Sequence, residues 1–115
     1  FVSDVLKNLI EKGYNFNIVY AIGPTVMMRA VACTTNPFNL KTIVSLNPIM
    51  VDGMGMCGVC RVTVGGSTMF GCVDGPEFDA HKVDFNELIA RQRTFCPEER
   101  MALQRFQQRK CTCDQ

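Results

Sequence analysis

The residues best equipped for chemistry crowd into one short stretch, DGMGMCGVC from Asp52 to Cys60, and one cysteine beyond it. Cys57 and Cys60 form a C-x2-C pair, and Cys72 follows after eleven intervening residues. Two thiolates so close in sequence can meet one metal centre only where the backbone turns sharply between them, and Gly58 permits that turn without a Cβ clash. Backbone N–H groups in such a turn point inward, where they can donate to sulfide or thiolate and offset negative charge. The plant-type spacing for a two-iron cluster is C-x4-C-x2-C with a fourth cysteine further on. Here the position of the first thiolate, five before Cys57, holds Asp52.

Three thiols and one further donor admit two metals. A tetrahedral zinc would take Cys57, Cys60 and Cys72 with Asp52 or the single histidine, His81. Zinc knuckles more often show two C-x2-C pairs, and this chain has one. An iron–sulfur site accounts for all of D-x4-C-x2-C-x11-C, including the loop between the first and second ligands. An aspartate keeps the ligand charge of the thiolate it replaces. As a harder donor it favours the oxidised state and makes ligation more pH-sensitive. Asp52 also reads as a turn residue ahead of Gly53, and spacing alone leaves the two roles open. The same stretch matches G-x-G-x-x-G, but that fingerprint must lie between a strand and a helix, and this one runs into a cysteine-rich loop.

The elements that must position these residues fall into two bodies with an extension. FVSDVLKNLIEKG places Val2, Val5, Leu6, Leu9 and Ile10 on one helical stripe that Gly13 stops. FNIVYAI is a short continuous apolar run, the pattern of a strand buried on both faces. GPTVMMRAVACTT predicts a turn at Gly23-Pro24 and a helix N-capped by Thr25, and KTIVSLN a further strand. Helix, strand, helix, strand over 1–47 predicts part of an α/β, doubly wound parallel sheet. From Pro48 glycine becomes dense, and CRVTVGGSTMFGC predicts a β-hairpin, Arg61–Val64 and Thr68–Phe70 around Gly65-Gly66. Residues 48–82 thus read as a small glycine-rich metal lobe. Residues 83–115 read as C-terminal helices: one with Asp84 and Glu87 as a capping box, and a second opened by Pro97. The tail RKCTCDQ has no pattern.

Composition narrows the function classes. With 115 residues the chain makes one ordinary domain or one domain with an appendage. A net charge of +1 argues against a nucleic-acid footprint, and the arginines at 91, 93, 100, 105 and 109 with Lys110 are interrupted by Glu98 and Glu99, as on a solvated helix face. No apolar run approaches a membrane span, and no signal-peptide pattern is visible. The first residue is Phe inside a helical pattern, which reads as a fragment lacking its N-terminal part. Seven cysteines, an odd number, do not read as a secreted disulfide framework; clustered thiols beside glycines read as metal chemistry in a reducing compartment, the cytoplasm. Of the others, Cys33 reads as a buried small hydrophobe, and Cys111 and Cys113 as loose tail thiols in preference to part of a second metal site.

YAIGPTVMMRAV, TIVSLNPIMVDGMGMCGVCRVTVGG and FGCVDGPEF together resemble the C-terminal part of ferredoxin–NADP reductase-like electron-transfer subunits. Within that family the resemblance is strongest to the small subunits of NADH-dependent ferredoxin:NADP oxidoreductase, also called sulfide dehydrogenase. Dihydroorotate dehydrogenase electron-transfer subunits and sulfhydrogenase gamma subunits are near relatives. The resemblance covers nearly the whole chain and fades after Arg93. It implies an FAD-binding barrel, an NAD-binding α/β domain and a C-terminal lobe with one [2Fe-2S] cluster, of which this chain holds the second half of the NAD domain and the cluster lobe. It implies Asp52, Cys57, Cys60 and Cys72 as cluster ligands, since the ferredoxin:NADP branch has Asp first where the dihydroorotate branch has Cys. By themselves Gly23, Pro24 and Met27 read as a plain strand-to-helix turn with core methionines; the resemblance makes them nicotinamide-side contacts. It further implies hydride transfer from NAD(P)H to FAD, single electrons through the cluster, a larger flavin/iron–sulfur partner subunit and, through that complex, ferredoxin. The fragment alone would not catalyse the full reaction.

Overall fold

In the computed structural model, which describes residues 1–108, the first apolar stripe folds as helix α1, Val2–Glu11. Its Leu6 packs against the core, while Val2 and Val5 stay exposed. Strand β1, Val19–Ile22, leads into helix α2, Thr25–Thr35, whose buried residues Met28, Val31, Ala32 and Thr35 recur at helical spacing. A short 3-10 turn over Asn36–Phe38 returns the chain to strand β2, Thr42–Ser45. β1 and β2 pair in parallel, Val19 opposite Thr42 through Ile22 opposite Ser45.

The glycine-rich half supplies the hairpin, β3 (Arg61–Val64) and β4 (Ser67–Phe70), joined at Gly65-Gly66 as the sequence predicts. A strand that the apolar pattern did not announce follows: β5, Glu77–Asp79, joins the first sheet antiparallel to β2. The sheet order is therefore β1-β2-β5. Helix α3, Phe85–Gln92, and helix α4, Cys96–Gln108, close the described chain. Asp84 caps α3 as expected, accepting from the N–H groups of Asn86 and Glu87 at 3.0 Å. The reciprocal half of the capping box is replaced, because the Asp84 N–H donates to Thr63 in the hairpin at 2.9 Å.

One core joins the two halves. Ala21, Met28 and Val44 from the sheet-and-helix half pack in the same cluster as Val62, Phe78 and Leu88.

Three local expectations are corrected. Among the described residues β1 is covered on one face: Ala21 is enclosed beneath α2, and Tyr20 and Ile22, which alternate with it, point to the opposite face and are exposed. Thr25 is not the N-cap of α2; Pro24 holds that position without a side-chain cap, and the Thr25 hydroxyl bonds elsewhere. Cys33 is exposed, because the Met28–Val31–Ala32–Thr35 stripe turns it away from the core. Cys111 and Cys113 lie outside the described residues. No helix among the described residues is long and apolar enough to cross a membrane.

Candidate metal centre

Two segments build the site: the glycine-rich loop between β2 and β3, and the turn that follows β4. Gly58 has φ of +67°, so the chain reverses between Cys57 and Cys60 in a conformation that a side chain would strain. The turn after β4 is closed by Val73 and Asp74 N–H groups donating to the Phe70 carbonyl and by the Asp74 carboxylate accepting from Phe70 N–H. The Gly71 N–H donates to the Cys60 carbonyl at 3.1 Å and ties the two segments together.

The four predicted donors fall into two pairs. Cys60 Sγ and Cys72 Sγ lie 3.2 Å apart. Asp52 pairs with Cys57: its carboxylate accepts from Met54 N–H at 3.0 Å and from Cys57 N–H at 2.7 Å. Asp52 thus organises the loop as an Asx turn while its carboxylate stands beside Cys57. Cys60 is buried, Cys72 half-buried and Cys57 exposed. Among the described residues, no three His, Cys, Asp or Glu side chains already converge on one point.

The electrostatics distinguish the pairs. Burial pushes the Cys60 thiol up, but hydrogen bonds from Cys72, from its own N–H and from Gly71 outweigh it and bring Cys60 below the ordinary cysteine value. Its hydrogen bond to Cys60, and then burial, hold Cys72 above that value, and the charge of Asp52 adds to the rise. The N–H of Met54, working against desolvation and helped by Cys57, holds the Asp52 carboxyl below the usual carboxylate range. The loop therefore favours anionic donors at Asp52 and Cys60. Metal ligation by thiolate needs that bias, so the donor set and its backbone amides fit an iron–sulfur group.

His81 does not join these donors. Its Nε2 lies 3.0 Å from the hydroxyl of Thr35, which in turn accepts from Thr42, so the ring is drawn to α2 and the sheet.

At the other predicted site, Gly23 and Pro24 connect β1 to α2. A Cβ on Gly23 would stand 2.6 Å from Met27 Cε, so the turn and Met27 are in close contact, while Met28 fills the core. The structure brings Gly23, Pro24 and Met27 together there.

Sequence reasoning missed what links the two places. Thr25 Oγ1 lies 2.9 Å from Asn47 Oδ1 and 2.8 Å from Gln92 Oε1, and Gln92 Nε2 donates to the Asn47 carbonyl at 2.9 Å. Gln92 Nε2 also donates to Asn47 Oδ1 at 3.1 Å, so the three side chains close into a ring of contacts. A hydroxyl carries one proton, so Thr25 donates to one of the two amide oxygens at a time while Gln92 holds Asn47 through its NH2 group. The adjacent Arg91 donates to the Val59 carbonyl in the cysteine loop at 2.9 Å. No local motif marks any of these residues.

Residues 47–84 match the model of the iron–sulfur cluster binding domain of dihydroorotate dehydrogenase B. The chain is 46% identical over 105 residues to the dihydroorotate dehydrogenase B (NAD(+)) electron transfer subunit homolog of Thermotoga maritima, covering 91% of this chain and 37% of that protein. It is 51% identical over 98 residues to an uncharacterized protein in the adh 3′ region of Clostridium beijerinckii, covering 84% of this chain and 33% of that one. It superimposes on a chain of the NADH-dependent reduced ferredoxin–NADP oxidoreductase structure with a TM-score of 0.83 and 45% identity, covering 93% of this chain and 38% of that chain. The chain is therefore related to the electron-transfer subunits of dihydroorotate dehydrogenase B and to a chain of the ferredoxin–NADP oxidoreductase structure, and its residues 47–84 carry the match to the iron–sulfur cluster binding domain. It spans about a third of the length of the curated relatives it matches.

Proposed function

We propose that Asp52, Cys57, Cys60 and Cys72 hold one [2Fe-2S] cluster through which this subunit passes electrons between a nicotinamide–FAD pair and a larger flavin/iron–sulfur partner subunit. The carrying observation is the Cys60–Cys72 pair at 3.2 Å, set beside a loop in which the Asp52 carboxylate is tied to the backbone N–H of Cys57. A cluster bound there would supply one-electron chemistry. The chain's own residues gather the sulfurs, donate N–H groups to Cys60 and keep Asp52 ionised. Gly23, Pro24 and Met27 would form the nicotinamide side of the NAD(P)H site, where the end of β1 and the start of α2 bring backbone close to a ligand. Ferredoxin would exchange electrons through the partner, in a heterodimer of the ferredoxin:NADP oxidoreductase or sulfide dehydrogenase type, in the cytoplasm.

Anaerobic visible absorption, with iron, sulfide and zinc counted on the same sample, tests this reading. Two irons and two sulfides per chain, with broad bands that bleach on adding dithionite, are the expected result. Asp52→Cys should then shift those bands, because a thiolate replaces an oxygen donor on one iron. One tight zinc in a colourless protein would instead assign the cysteines to a structural metal in a non-enzymatic interaction module. Unshifted bands in a fully loaded Asp52→Cys would remove Asp52 from the ligand set and leave it as the loop's turn residue.

A further inference from the structure

Two arginines hold the outside of the cysteine loop. Arg61 Nη1 donates to the Gly58 carbonyl at 3.0 Å, and Arg91 Nη2, arriving from α3, donates to the Val59 carbonyl at 2.9 Å. Both carbonyls lie between Cys57 and Cys60. The peptide that joins Val59 to Cys60 is trans, so its N–H points away from its C=O. Pinning the Val59 carbonyl towards α3 therefore sends the Cys60 N–H to the opposite side and fixes the orientation of the peptide that enters Cys60. Neither guanidinium has a carboxylate within ion-pair distance among the described residues, so both leave positive charge uncompensated beside the loop.

We infer that Arg91 is a positioning residue for the cluster loop, which fixes the Val59–Cys60 peptide and raises the reduction potential of the site. The inference rests on the cluster reading above. One-electron reduction adds one negative charge to the bound group, and nearby positive charge favours that reduced state. Losing the guanidinium removes that charge and lowers the potential, and it frees the Val59–Cys60 peptide to rotate, so the loop holds its metal less firmly. Arg91 is suited to this task where an ordinary surface cation is not, because its planar fork fixes the carbonyl direction as well as the charge.

A redox titration of the complete, cluster-loaded protein, with electron paramagnetic resonance of the reduced form, tests the assignment on Arg91→Gln, Arg91→Lys and Arg93→Gln. Arg93 is exposed at the C-cap of the same helix and serves as the charge control. Arg91→Gln should lower the one-electron reduction constant about tenfold, a fall of about 59 mV in midpoint. Arg91→Lys should fall between it and wild type, and Arg93→Gln should match wild type. Iron stripping by a chelator should be fastest in Arg91→Gln and intermediate in Arg91→Lys. If Arg91→Gln holds too little cluster to titrate, Arg91→Lys carries the measurement, and wild-type values for its midpoint and stripping rate overturn the assignment. A fully loaded Arg91→Gln with wild-type midpoint and stripping rate also overturns it, as do equal falls in Arg91→Gln and Arg93→Gln, which would leave only net charge. A wild-type protein without iron and sulfide fails earlier and overturns the cluster reading itself.

Discussion

Asp52 shows how one side chain can serve a loop before any metal is considered. Its two oxygens accept from Met54 and Cys57 N–H groups, and the second bond spans the whole interval between the first and second proposed ligands. A shorter or apolar side chain would leave both donors to water and the four-residue loop without its tie. Gly58 is the other residue on which the loop depends. A methyl group there would meet Phe70 Cε1 at an ordinary 3.6 Å, so space is available and only the φ of +67° resists it. Gly58→Ala is therefore expected to cost about 1–2 kcal/mol through backbone conformation alone, read as a lower urea midpoint with unchanged slope. A much larger loss would mean that the loop is packed more tightly than its contacts indicate.

At the scale of elements, the last turn of α3 connects the two candidate sites. Arg91 reaches the cysteine loop and Gln92 reaches Asn47 and Thr25, one residue beyond the Gly23-Pro24 turn. Hydrogen bonds closed into a ring leave each other unsatisfied when one member is removed. Gln92→Ala should destabilise the protein by about 1–3 kcal/mol, and Thr25→Val by a comparable amount. The double variant should lose clearly less than the sum, because both substitutions break the same ring. Chemical denaturation of the four proteins measures the coupling, and strict additivity would show that the ring does not act as a unit. The opposite case is α4, which buries no side chain and leaves Met101, Leu103 and Phe106 exposed.

For the whole molecule, the decisive feature is that the cysteine-bearing half and the sheet half share one core. Leu88 of α3 is only 2% exposed and sits in the same cluster as Val62 of the hairpin and Met28 of α2. Leu88→Ala should cost about 2–5 kcal/mol and should lower the unfolding midpoint equally whether followed by backbone circular dichroism or by the reaction of the buried Cys60 with a thiol reagent. Two separated transitions would show that the halves fold independently. The shared core also bears on the proposed electron transfer, since it holds the turn after β1 and the cysteine loop in one packed body.

The sequence alone determined the elements whose signal is local. Apolar spacing marked α1 and α2, the paired glycines marked the hairpin, and Asp84 marked the start of α3, because propensity, capping and turn chemistry act over a few residues. The cysteine spacing likewise marked the candidate centre, since ligand reach is a short-range constraint. Tertiary structure decided the rest. It made β5 a strand through pairing with β2 in spite of only three residues of weak pattern, turned Cys33 outward, and drew His81 to Thr35. It also converted Thr25 from an expected cap into a member of a ring with Asn47 and Gln92, partners 22 and 67 residues away. Such contacts are chosen by which faces the folded chain brings together, and no local pattern encodes that choice.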